Sequence, residues 1–232
     1  LFPYTTLFRS VPPPPPPPPP PTANFNTVEY QRSNGAVQAQ AIAAYNAGAS
    51  GTGVIAGVVD SGIDVDSPEF AGKIHPQSAD FAGSRGLQDE GGHGTAVSSV
   101  FLGAKNDLET HGVAFGATLL VLRTDTAGTC ADTDPDKGCT HNDNNIARAV
   151  DRAVAVGAKV INMSLGGGAS TAMDSAIARA TARRITVAVA AGNANANACN
   201  GSPARAPSAL TVGATASNDV RASFSNYGSC LD

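Results

Sequence analysis

Val54-Ile55-Ala56-Gly57-Val58-Val59 is an uninterrupted apolar run that stops at Asp60 and is followed by Ser61-Gly62. A run with no polar alternation and turn residues at its end has no solvent face. It reads as a strand buried on both sides, the habit of a parallel sheet covered by helices. In such sheets chemistry gathers beyond the carboxyl ends of the strands. Asp60 is therefore either a site carboxylate or the cap of a following helix, and the run alone does not separate the two.

The patterns that follow extend the sheet. Apolar runs at Ala117–Arg123, Lys159–Leu165, Ile185–Ala190 and Leu210–Ala214 predict further strands, with a minor strand near Phe81. Between them, Ile146, Ala149, Val150, Ala153 and Val154 recur at helical spacing over 144–156, closed by Gly157. A second helix is predicted from Ser170 to Arg184, with Met173, Ala176, Ile177 and Ala180 inward. Val97, Val100 and Phe101 share one helical face and put His93 at a helix N-terminus, where the helix dipole disfavours imidazolium. Ala36–Ala47 is Ala-rich and helix-prone, with Gly48 as its C-cap. Strands alternating with helices of this length predict an α/β fold, a parallel-stranded sheet flanked by helices on both faces.

Upstream of this pattern the chain changes character. Residues 1–10 (LFPYTTLFRS) match the in-frame translation of a widely used short-read sequencing adapter. They are set aside as non-native by hypothesis, which mapping reads to the source locus tests; a genuine upstream coding run would refute it. The absence of an initiating Met or export signal then says nothing about export. Pro12–Pro21 is an unbroken proline run, a stiff polyproline II spacer of roughly 31 Å. Residues 22–35 read as linker. The organisation is thus 1–10 adapter translation, 11–35 Pro-rich spacer and linker, and 36–232 the folded domain.

Net charge is -4 with no run of Lys or Arg, which argues against nucleic acid or an anionic membrane as the main partner. No apolar stretch approaches the length needed to span a bilayer. Four cysteines fall into two groups, Cys130 with Cys139 and Cys199 with Cys230, neither spaced like paired zinc ligands. An even count favours two disulfides and an oxidising compartment, against a reduced cytosolic alternative, and three pairings are open.

Three polar residues stand at comparable places. Asp60 ends a strand, His93 opens a helix within Gly91-Gly92-His93-Gly94, and Asn193 follows a strand through Ala191-Gly192. An acid that fixes an imidazole tautomer, an imidazole base and an amide donor for an oxyanion form a coherent set for acyl transfer that lacks only a nucleophile. The motifs Val58-Val59-Asp60-Ser61-Gly62-Ile63-Asp64, Gly92-His93-Gly94-Thr95-Ala96-Val97, Asn162-Met163-Ser164-Leu165-Gly166-Gly167 and Ala190-Ala191-Gly192-Asn193 resemble, in this order, those of the subtilisin family of serine peptidases, from about Ala41 to Asp232.

The resemblance implies a serine endopeptidase acting on polypeptide substrates. Asp60 would orient His93, His93 would shuttle the proton of a serine, and Asn193 would donate to the tetrahedral oxyanion. In subtilisin that donor is worth about 10²–10³ in kcat. Ser164, Leu165 and Gly166 would pair with an extended substrate, and that strand with Ala190, Ala191 and Gly192 would wall the S1 pocket. No acid lies in these walls, which implies apolar or broad P1 preference.

The tail Ala222–Asp232 resembles proteinase K-like and aqualysin-like members, in which a disulfide matches Cys199–Cys230; Cys130–Cys139 is then the remaining pair. The family's Gly-Thr-Ser nucleophile motif is absent from the sequence, so this stretch by itself is expected to be inactive, and Ala96 replaces a second His often found in the His motif. Calcium is common in subtilases near the position of Asn106-Asp107, but a solvated loop explains those residues equally well, and no metal or other cofactor is expected. The spacer followed by the Asp motif also resembles autotransporter passenger domains. That implies an extracellular or cell-surface location and a C-terminal β-barrel translocator; a plain secreted peptidase is the other reading. Two further functions are weighed. A pseudopeptidase would keep the groove as a peptide-binding module, and the coding sequence after Asp232 separates it from an enzyme. A nucleotide-binding domain, prompted by Gly166-Gly167-Gly168, lacks G-x-G-x-x-G after the first strand and a P-loop Lys.

Overall fold

The computed structural model describes residues 23–130 and 138–232; the adapter-like residues and the proline run lie outside them. The apolar run forms β1, Ile55–Asp60, at the centre of a six-stranded sheet. The other strands are β2, Ala79–Asp80; β3, Thr118–Arg123; β4, Val160–Met163; β5, Thr186–Ala190; and β6, Leu210–Val212. All pairings are parallel, in the order β2-β3-β1-β4-β5-β6, with Asp60 opposite Arg123. Parallel strands need crossovers, and these supply the helices that cover both faces.

Successive side chains of a strand point to opposite faces, and both faces are dry. Ala56, Val58, Leu119 and Val121 pack with Leu102 and Phe70 on one side. Val59, Leu120, Leu122, Ile161 and Val187 pack on the other, against Ile146, Val150, Met173 and Ile177. The latter come from two helices, α5 (Asp143–Val156) and α6 (Thr171–Ala182), counting in chain order. Asn142 caps α5, Ser170 caps α6, and Gly157 ends α5 at φ 89°. The residues expected inward on both helices are buried, except Val154, which is partly buried against the same core.

The opposite face carries α4, His93–Leu102, which begins at the expected His93. Its fully buried residues are Gly94, Ser98 and Leu102; of the expected apolar face, Val97 and Phe101 pack half-buried on the same core and Val100 does not. At its start Gly94 meets the end of β1, where a Cβ would lie 3.2 Å from Asp60 Cβ. Val97 and Phe101 flank the contact, and Val100 is 61% exposed along an apolar groove of about 580 Å³.

The N-terminal region also departs from expectation. The stretch read as linker contains α1, Val28–Arg32, whose Thr27 hydroxyl accepts from the Tyr30 amide. The single helix expected over 36–47 is two, α2 (Asn34–Gln38) and α3 (Ile42–Asn46), broken where Gln40 takes φ 53°. Alanine propensity would carry one helix through, but the break lets Tyr30, Ala36, Ala41 and Tyr45 close on one another with Phe25 and Phe115 alongside. Burial of that aromatic cluster overrides local preference.

Candidate active site

At the carboxyl end of β1, Asp60 is 2% exposed and its Oδ1 lies 2.7 Å from His93 Nδ1. The same oxygen accepts the Ser61 amide at 2.7 Å. Asp60 therefore faces an imidazole rather than capping a helix. The approach depends on Gly94, where a Cβ would sit 2.4 Å from the Gly62 carbonyl oxygen and 3.2 Å from Asp60 Cβ. No side chain fits there, which accounts for a glycine after His93.

The His93 side chain is 54% exposed, so the ring is tethered at Nδ1 and open to a cleft. Its pKa is raised above the ordinary imidazole value, first by the hydrogen bond to Asp60, with burial opposing and the charges of Asp60 and Asp89 adding. The direction is opposite to that expected from the helix dipole alone. A carboxylate in direct contact outweighs partial charges spread over a first turn.

The cleft encloses about 710 Å³ and is lined by His93, Ser164, Leu165, Gly166, Ala190, Ala191, Gly192 and Asn193, with Asp60 behind His93. Every residue singled out for the base, the oxyanion donor and the substrate walls thus meets at one place. Asn193 is exposed, and among the described residues its amide has no hydrogen bond. Ser164, Leu165 and Gly166, just past the end of β4, make no backbone–backbone hydrogen bonds among the described residues, so unpaired backbone borders the cleft. An extended peptide can add to such backbone while an imidazole base and an amide donor act on its carbonyl.

Sequence reasoning passed over several residues that build this place. Asn226 clamps the loop around Asn193: its Nδ2 donates to the Ala191 carbonyl at 2.8 Å, and its Oδ1 accepts from the amides of Ala194 and Ala196 at 3.0 and 2.9 Å. Its backbone amide donates to Gly192. A Cβ on Gly192, at φ 104°, would meet Asn226 Nδ2 at 2.5 Å. No local pattern marks Asn226. Asp89 plays the matching part beside His93, and its one sequence signal is an acid just ahead of a helix start.

His141 also lines the cleft, with Nδ1 2.9 Å from Thr124 Oγ1. Burial pushes its pKa down, against the charges of Asp60 and Asp125. Behind it, buried Arg123 ties Asp125 to Glu90.

Both disulfides are formed, Cys130–Cys139 and Cys199–Cys230. The first lines the cleft and packs on Gly91, where a Cβ would fall 2.7 Å from Cys130 Cβ. Among the described residues no group of three or more His, Cys, Asp or Glu side chains is placed to hold a metal. At Asn106, the region associated with calcium, the amide nitrogen donates to Glu29 Oε1 at 2.9 Å and Nδ2 to Glu69 Oε1 at 3.3 Å. Glu29 Oε2 and Glu69 Oε2 are buried without a hydrogen-bond partner, and Lys105 Nζ lies 4.0 Å from Glu29 Oε2.

Comparison with known proteins places the chain. The peptidase S8 (subtilase) family model matches residues 51–232, and the chain belongs to the subtilase family. It is 44% identical over 189 residues to an extracellular serine proteinase of a Thermus species, covering 81% of this chain and 43% of that protein. It is 40% identical over 189 residues to alkaline serine exoprotease A of Vibrio alginolyticus, covering 81% of this chain and 33% of that protein. Among solved structures, a cold-adapted subtilisin-like serine proteinase superposes with a TM-score of 0.67 at 38% identity, covering 78% of this chain and 62% of that one. The chain thus spans less than half the length of these two relatives.

Proposed function

We propose that this chain is the Asp-His-Asn portion of a secreted serine endopeptidase. Asp60 holds the Nδ1 tautomer of His93 and stabilises the imidazolium. The free nitrogen of His93 takes the proton of a serine during attack and returns it to the leaving amine. The Asn193 amide donates to the oxyanion, and the substrate lies as an added strand along Ser164–Gly166. The 2.7 Å contact between Asp60 Oδ1 and His93 Nδ1, at the wall of a cleft that also holds Asn193, supports this reading most directly.

The serine is supplied by sequence outside residues 1–232, and this stretch alone is inactive. Losing the nucleophile costs on the order of 10⁶ in kcat in subtilisin. The two disulfides, and a relative named as extracellular, support action outside the cell. The Pro-rich spacer supports a surface-held form with a C-terminal β-barrel translocator.

The test is paired. The 232-residue chain is assayed on casein, and the coding sequence after Asp232 is read and the extended chain assayed. Inert short chain, a Gly-Thr-Ser motif downstream and serine-dependent cleavage by the extended chain are expected. Turnover by the short chain would sink the proposal. An extended chain without the serine that still binds peptides would establish the pseudopeptidase instead.

A further inference from the structure

Asp89, in the turn ahead of α4, gathers more hydrogen bonds than a helix cap requires. Its Oδ1 accepts from the amides of Gly91 and Gly92 at 3.1 and 2.9 Å and from Ser61 Oγ at 2.9 Å. Its Oδ2 accepts from the amide and the hydroxyl of Thr95 at 2.9 and 2.7 Å. Two of these partners pass the connection on. Ser61 Oγ accepts the Gly94 amide at 2.9 Å, and Thr95 Oγ1 accepts the Asp64 amide at 2.9 Å.

The bonds therefore run between the loop that follows Asp60 and the turn that carries His93, not only within the helix. The segment bearing Asp89 is itself fixed. Ile63 donates to the Leu87 carbonyl at 2.8 Å, and Asp89 donates its amide to the Ile63 carbonyl at 3.0 Å. Buried Arg123 holds Gln88 through its carbonyl and Glu90 through its carboxylate. Gly62 permits the approach, since a Cβ there would meet the Leu87 carbonyl oxygen at 2.6 Å.

We propose that Asp89 is a positioning residue for the Asp60–His93 pair: its carboxylate locks the first turn of α4 to the Ser61–Asp64 loop and so sets the imidazole against Asp60. The inference rests on the reading of His93 as the base. A capping Asn could satisfy part of the helix end, but only one of its side-chain atoms accepts, so it cannot take the Gly91 and Gly92 amides and the Thr95 amide at once. Asp89 is also kept ionised: burial pushes its carboxyl up, but the bonds from Thr95, Ser61 and Gly92 bring it below the usual range. The titratable groups facing His93 are then Asp60 from β1, Asp89 from the turn before α4, and His141 from the residues just ahead of α5.

The experiment is an NMR pH titration of the 232-residue chain, labelled at histidine nitrogen, comparing wild type with Asp89→Asn. Wild type is expected to show a low-field Nδ1 proton for His93 and a titration midpoint above that of a free imidazole. Absence of both in wild type would overturn the reading of His93 as base, whatever the variant does. With wild type as expected, a folded Asp89→Asn chain should lose or broaden the low-field proton and lower the midpoint. Loss of thermal stability with both His93 signals unchanged would overturn the positioning role. Should Asp89→Asn not fold, Ser61→Ala removes one arm of the lock and leaves the charge. It should then broaden the low-field proton, and an unaltered signal would overturn the proposal.

Discussion

On the His93 side of the cleft the half-buried hub is a carboxylate, whereas on the Asn193 side it is a carboxamide. Asp89 collects five hydrogen bonds around the base, and Asn226 makes three through its side chain around the amide donor. Each side also has a glycine that admits close approach, Gly94 and Gly192, and a nearby disulfide. The difference is in charge. A base that must become imidazolium gains from anions nearby, and both Asp60 and Asp89 push His93 that way. An amide that must meet a developing oxyanion would lose by having a carboxylate at its back, so its loop is clamped by a neutral group that both donates and accepts.

The two disulfides should separate the sides most strongly. Cys199–Cys230 closes a loop over a sequence separation of 31, and Cys130–Cys139 over 9. Loop-closure entropy then assigns about 4 kcal/mol to the first and about 2.5 kcal/mol to the second. Urea denaturation of the two Cys→Ser double variants measures both. Equal losses would mean that the chain around Asn226 is already ordered by its hydrogen bonds.

A smaller effect is expected at the neutral hub itself. Asn226→Ala leaves the Ala191 carbonyl and the amides of Ala194 and Ala196 without their partner, at a cost of about 3 kcal/mol. Asn226→Asp keeps the acceptor but turns an anionic oxygen towards the Ala191 carbonyl. It is expected to cost about 2 kcal/mol at neutral pH and to recover in acid, read from denaturation midpoints. An Asp variant as stable as the parent would remove the charge distinction between the sides.

The smallest expected effect is the pH dependence of stability. With a raised folded pKa, the stabilisation from the Asp60–His93 pair is fully present below the ordinary imidazole value of about 6.5 and is lost as pH rises through the folded pKa. Asp89 works in the other direction: its stabilisation is present above the ordinary carboxyl value and is lost as pH falls through the lowered one. Denaturation midpoints followed from about pH 6 to about pH 8 should decline in the parent and flatten in Asp60→Asn. A decline that survives in Asp60→Asn would assign it to a group other than His93.

Much of this molecule was legible in its sequence. The unalternating run at Val54–Val59 specified a buried parallel strand, and helical spacing at 144–156 and 170–184 specified the crossovers. These are local properties, decided by the period of side-chain direction. Tertiary structure decided the rest. The fully buried line of α4 is Gly94, Ser98 and Leu102, with Val97 and Phe101 half-buried beside it, because no side chain fits where Gly94 meets Asp60 and Gly62. The break at Gln40 follows from aromatic packing against Tyr45 and Phe115. Neither residue's role as a hub could be read locally, for the same reason: Asp89 reaches Ser61 across 28 residues and Asn226 reaches Ala191 across 35. A polar side chain becomes a hub only when folding brings it donors that the chain holds far away, and no local pattern encodes that meeting.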